Sequence, residues 1–190
     1  MKNTIIALLL ILFATSGYSQ NPPDSKKENL TKKELRTLRK TEQAKKDSTS
    51  HTSAMYAIKA SNWIFKATTI TSLGGHREYV AANVNYLMIE DNLFTFQTST
   101  GFGGGYNNMG GITTKGLVKG MNSSVDKHGN VSYTFKMLGT LFNANVTLNL
   151  MNEGNSAEIF MNFDRGEGSI IMDGSIYMLG ITNLYEGTLN

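Results

Sequence analysis

The stretch GFGGGYNNMGG at residues 101–111 first suggests phosphate chemistry, because backbone amides freed by glycine can wrap an anion. A phosphate-binding loop, however, needs Lys-Ser/Thr after its glycines and then a helix whose N-terminal amides face the ligand. Here Gly110-Gly111 runs into Ile112-Thr113-Thr114-Lys115-Gly116, which alternates like a strand. A dinucleotide fingerprint fails for want of the same helix. The run reads instead as a long connection between strands, with glycine supplying positive φ and Asn107 and Asn108 tolerating it. Long connections in compact domains often carry function, so the loop keeps its interest.

Other reactive groups are sparse. His51, His76 and His128 form no pair at metal-ligand spacing, and neither a zinc helix motif nor a calcium loop is present. No GxSxG elbow occurs, and the acids cluster in turns such as Glu90-Asp91 and Asp164…Glu167. A carboxylate pair brought together from distant strands stays open. No reaction class can be assembled from these residues, and the expectation is a non-enzymatic protein with no metal and no cofactor. The sequence has no cysteine. That removes disulfides, thiolate metal sites, a cysteine nucleophile and the lipid-bearing cysteine of an exported lipoprotein.

One constellation does arise from topology. If the strands alternate up and down, the loops at 74–78, 101–111 and 164–168 emerge at one end. His76, Arg77, Tyr106, Asn107, Asn108 and Arg165 would then ring a single rim beside an apolar interior, and these are the candidate ligand-binding residues. The same set also suits an ordinary solvated group of β-loops.

The elements that must position this rim follow from patterning. MKNTIIALLLILFATSGYSQ has Lys2, a short apolar run from Ile5 to Ala14, and small residues before Gln20, so residues 1–19 read as a signal peptide. Its apolar run is too short to span a bilayer and no later stretch is apolar enough, so no transmembrane span is expected. The protein is expected to be exported and soluble, on the periplasmic or cell-surface side. Residues 20–50 hold nine bases and five acids, a net +4, whereas eight bases face ten acids from His51 onward. Thr31-Lys32-Lys33-Glu34 fits a capping box and predicts a helix over 32–46 within this basic linker. The linker is a solvated segment or, on a sharper reading, a foot that contacts anionic surfaces through residues 26–46. Nucleic acid is excluded as a partner, since no aromatic residues interleave with the bases. A second, short helix is expected from Ser53 to Ala60.

Residues 51–190 form the β-rich domain. Val131–Met137, Phe142–Leu150, Ala157–Phe163 and Ile170–Met178 alternate apolar with polar, each with one packed and one wet face. Adding 63–71, 79–89, 93–99 and 112–125 gives about eight strands joined by Asn/Asp/Gly turns. Such short links join antiparallel neighbours, so the fold is mainly β: an antiparallel meander forming a small barrel, of lipocalin-like size, or a sandwich. Met88, Met137, Met161, Met172 and Met178 fall on the presumed inward faces. They serve as core filling or as a soft lining for an apolar ligand.

Several short motifs resemble a known family. A helix leads into Ala60-Ser-Asn-Trp-Ile-Phe-Lys-Ala67, then come Gly110-Gly-Ile-Thr-Thr-Lys-Gly116 and Val125-Asp-Lys-His-Gly-Asn-Val131. Ala144-Asn-Val-Thr-Leu148, Ala157-Glu-Ile159 and Tyr185-Glu-Gly187 follow. Over roughly 55–187 the chain resembles the domain-of-unknown-function family DUF4251, small exported proteins typical of Bacteroidetes. The resemblance implies a periplasmic or surface-facing β-rich domain behind a charged leader, and it brings no catalytic residues. The expected function is that of a periplasmic binding or interaction module that uses the Gly-rich rim to meet an envelope partner. The alternatives are a lipocalin-like carrier of a small apolar ligand and an envelope structural protein attached through its basic leader.

Overall fold

A computed structural model of the chain describes residues 31–72, 74–99, 111–164 and 168–180. The chain divides into two compact units, residues 1–38 and 39–190.

In the first unit the capping box forms as the residue types require. Glu34 N donates to Thr31 Oγ1 at 3.3 Å, while Thr31 N and Thr31 Oγ1 both donate to Glu34 Oε2 at 2.8 Å. The Thr31 hydroxyl, with its amide, holds the Glu34 carboxyl below the ordinary glutamate range.

The helix that starts there, α1 (Lys32–Lys59), runs 28 residues without a break. Two helices were expected, over 32–46 and from Ser53 to Ala60, and Asp47-Ser-Thr-Ser-His-Thr-Ser53 between them is rich in poor helix formers. The hydroxyls instead bond back along the helix: Thr49 Oγ1 to the Lys45 carbonyl at 3.0 Å and Thr52 Oγ1 to that of Ser48 at 2.9 Å. Gln43 Nε2 donates to Asp47 Oδ1 at 2.8 Å in the turn before. The seam is bridged locally, and the 50/51 boundary falls inside one element.

In the second unit the chain continues as nine strands: β1 (Asn62–Ser72), β2 (Arg77–Tyr79), β3 (Tyr86–Glu90), β4 (Leu93–Thr98), β5 (Ile112–Val125), β6 (Val131–Gly139), β7 (Asn143–Leu150), β8 (Ser156–Phe163) and β9 (Ser169–Met178). All pairs are antiparallel and sequential from β3 to β9, and β1 pairs with both β3 and β9. Eight strands therefore close a barrel, with β2 as an extra strand on β1. The choice between barrel and sandwich is settled in favour of the barrel.

The expected strand 79–89 is two strands. Val80 N donates to Thr68 O and Ala67 N to the Asn85 carbonyl, so residues 81–84 loop out opposite the bulge at Thr68 of β1. Closure also needs close backbone approach. A Cβ on Gly174 would lie well inside 3.0 Å of the Lys66 carbonyl, and one on Gly116 would meet the Leu138 carbonyl. These in-strand glycines let β9 cross β1 and β5 cross β6.

Alternation fills the interior as the sequence implies. Val131, Tyr133, Phe135 and Met137 of β6 meet Ala144, Val146, Leu148 and Leu150 of β7, then Ala157, Ile159 and Met161 of β8 and Ile170, Met172 and Ile176 of β9. Trp63, Phe65, Ala67, Leu87, Ile89, Phe94 and Phe96 complete the wall. Trp63 packs edge-on against Tyr133 at 6.4 Å and Phe135 at 6.2 Å. Met137, Met161 and Met172 point inward as expected and Met178 packs at the margin. Met88 is the exception: it lies between inward Leu87 and Ile89, so it faces out, half-buried, beside Ile64 and Thr95.

Candidate functional site

The two ends of the barrel differ. Following the strands, the connections after β1, β4, β6 and β8 share one end, the loop end. The turns β3–β4, β5–β6 and β7–β8 share the other, where α1 enters β1.

At the loop end, the ends of β4 and β5 and of β8 and β9 bring the flanks of the Gly-rich and 164–168 connections to the same side as His76 and Arg77. Tyr106, Asn107, Asn108 and Arg165 themselves lie outside the described residues. His76 is exposed and its Nε2 lies 3.0 Å from Glu78 Oε1. Arg77 turns along the outer wall: its Nη2 donates to Asp173 Oδ2 at 3.0 Å and to Thr69 Oγ1 at 3.2 Å. Thr69 Oγ1 donates to the same Asp173 oxygen at 2.8 Å, closing a triangle over the β1–β9 seam.

Beneath the flanks of the Gly-rich connection sits a buried polar layer that the sequence reading missed. Asn85 is fully buried; its Nδ2 donates to the Ala81 carbonyl at 2.8 Å and to Ser99 Oγ at 2.9 Å. Its Oδ1 accepts from Thr98 Oγ1 at 3.0 Å and Ser99 N at 2.8 Å. Gln97 Nε2 reaches the Val84 carbonyl at 3.2 Å, and Thr113 Oγ1 donates to Gln97 Oε1 at 3.3 Å. Thr114 and Thr140 hydroxyls meet at 3.2 Å. The amides and hydroxyls are satisfied inside the fold, so this layer anchors the base of the loop. The repeated Asn at 83 and 85 was the available signal, hidden because alternation assigns such residues to water.

At the helix end β5 outruns β4. Their pairing stops at Leu93↔Leu117, whereas β5 continues beside β6 to Val125, with a bulge between Lys119 and Asn122 where Gly120 takes φ 65°. The last turn of α1 fills the gap left by β4: Ala54, Ala57 and Ile58 join the core. Between them remains a cleft of about 310 Å³ lined by Met55, Ile58, Lys59, Ser61, Met121, Ser123, Val125, Val131 and Tyr133. Tyr133 OH points at Met121 Sδ, 2.6 Å away, and Ser61 Oγ lies 3.7 Å from the same sulfur. Burial pushes the Tyr133 phenol up, an effect the Ser61 hydroxyl partly offsets. Ser61 is one of two described non-glycine residues at positive φ, 50°, in the tight helix-to-strand turn.

His128 belongs to the β5–β6 turn, where its amide donates to Asp126 Oδ1 at 2.7 Å. Among the described residues no three His, Asp or Glu side chains group as metal ligands.

The fold and these ends define a small closed-barrel domain capped by a helix. Residues 45–176 match the profile of a domain of unknown function, DUF4251, and the chain belongs to that family. It is similar to the crystal structure of a DUF4251 family protein from Bacteroides eggerthii, at 27% identity and a TM-score of 0.64, covering 74% of this chain and 95% of that one. No curated protein matches. The family match starts at residue 45, so residues 45–59 of α1 fall within the matched region.

Proposed function

We propose that this is an exported, non-catalytic binding module that meets an envelope partner, on the periplasmic or cell-surface side, through its loop end. The observation that carries the reading is the grouping of four connections at one end of a barrel whose interior is already filled. Trp63, Phe65, Leu87, Ile89, Met137, Leu148, Leu150, Ile159 and Met161 each have 0% exposed surface, so a water-sized sphere reaches none of them from outside or within. Eight-stranded barrels either pack their own side chains or hold one small ligand, and this one packs side chains. That weighs against the lipocalin-like carrier. Recognition then falls to the Gly-rich connection with His76, Arg77, Tyr106, Asn107, Asn108 and Arg165.

A photo-crosslinking residue at position 106, expressed in the native host, tests this. It should give one discrete adduct that disappears in Arg77→Ala/Arg165→Ala with the unfolding midpoint within a few degrees. An exposed ion pair such as Arg77–Asp173 contributes only about 0–1 kcal/mol, so the fold should survive its loss. Adducts identical to those from a probe at Leu93, at the opposite end, would reject the loop end as the recognition surface.

A second reading is favoured by the exposure of Arg39, Lys40, Lys45 and Lys46 on α1. A basic helical segment of this kind adheres to anionic surfaces with roughly 1 kcal/mol per charge and loses that adhesion in salt.

A further inference from the structure

We infer that the helix-end cleft is a binding site for a single-chain anionic amphiphile, an acidic head group on a short apolar chain. The inference is independent of the loop end and stands on how the cleft's two halves are furnished.

Its wall is apolar and adaptable. Met55 and Ile58 come from α1, and Met121, Val125 and Val131 from the β5–β6 ribbon that projects past β4. Met121 and Val125, four residues apart on one face of β5, are both exposed. The bulge at Gly120 puts an extra residue into β5 opposite β6 and so turns both to the face presented by Val131 and Tyr133, where β4 no longer covers them. Two flexible thioethers lining one cleft make a surface that repacks around a chain. At about 310 Å³ the space lies at the small end of ligand sites, which fits one short chain and not a two-chain lipid.

Each of its polar side chains can donate a hydrogen bond. Lys59 brings an ammonium, and Ser61, Ser123 and Tyr133 bring hydroxyls, while none of the described residues lining the cleft is an Asp or Glu. The Tyr133 and Ser61 hydroxyls both turn to the Met121 thioether, a weak acceptor. A hydroxyl donor turned to a thioether gains from an anionic oxygen, because charge-assisted hydrogen bonds are roughly twice as strong as neutral ones. Lys59 stands at the margin, where an ammonium can pair a head group while the chain lies inward on Ile58 and Val131. Carboxylate and phosphate monoester heads share this chemistry.

The experiment has a built-in reporter. Trp63 is the only tryptophan of the chain and packs edge-on against Tyr133, which lines the cleft. Tryptophan emission and calorimetry of the mature protein would be followed while decanoate, decyl phosphate, decanol and decylamine are added below their micelle concentrations. The expected result is saturable, one-site binding of decanoate or decyl phosphate, the stronger of the two identifying the head group, with decanol at least tenfold weaker and decylamine weaker still. Lys59→Gln should weaken the anion about tenfold and leave decanol unchanged. Val125→Glu, at an exposed position that does not threaten folding, should abolish anion binding with an unaltered circular dichroism spectrum. Equal binding of decanol and decylamine, binding retained in Val125→Glu, or no saturation with any of the four probes would overturn the inference.

Discussion

Asp126 organises the β5–β6 turn almost alone. Its Oδ1 accepts from the amides of His128 at 2.7 Å and Asn130 at 2.9 Å, and its Oδ2 from Asn130 Nδ2 at 2.7 Å. The Asn130 side chain is the largest cause of a carboxyl held below the ordinary aspartate range. Since the folded value is depressed, the stabilisation is present above the unfolded aspartate value and is lost as pH falls through the lowered folded one. A carboxyl-detected NMR titration should show Asp126 titrating below a model aspartate, and Asn130→Ala should move it back toward normal. Gly174 makes a different kind of residue-scale demand, because it faces the Lys66 carbonyl with no room for a Cβ. Gly174→Ala should cost about 1–3 kcal/mol by overpacking, read as a lower urea midpoint at unchanged slope. The turn asparagines and aspartates were legible in the sequence because their chemistry is local. Gly174 was readable as inward but not as a crossing point, and Asn85 was not readable at all, since its partners Thr98 and Ser99 lie far along the chain.

At the scale of elements, the strands β6 to β9 followed from period-two alternation because every one of them has a neighbour on both edges and a single buried face. The pattern failed where pairing is interrupted. Residues 81–84 leave the ladder, splitting one expected strand into β2 and β3, and the lower half of β5 is exposed on both faces because β4 ends early. The helix was misjudged in the opposite sense. Two helices, over 32–46 and 53–60, were expected, but Thr49 and Thr52 bond their own helix and α1 continues until Ala54, Ala57 and Ile58 reach the core. The end of α1 thus substitutes for a missing stretch of β4 as the cover of the barrel. Ile58→Ala should therefore cost about 2–5 kcal/mol and raise amide exchange in residues 53–59 before the strands respond. Uniform loss of protection across barrel and helix would show instead that the two unfold as one unit.

At the scale of the whole molecule, charge and burial are divided by region. The bases cluster before residue 50, on an exposed helix, while the closed barrel carries a slight excess of acid. No helix among the described residues is long and apolar enough to cross a membrane. Closure through β1–β9 joins the two outer strands of the meander, leaving open the end of β5 beyond β4 and the short β2, and the interior is occupied by aromatic, aliphatic and methionine side chains. A filled barrel is a rigid mount, which leaves its outer surface and ends for any partner. Xenon enters dry apolar cavities and leaves packed interiors empty, so a crystal of the mature protein pressurised with xenon puts this directly to the test. The account predicts no xenon among Trp63, Phe135, Met137, Leu148 and Met172; an ordered xenon atom in their midst would contradict it and restore the barrel as a container.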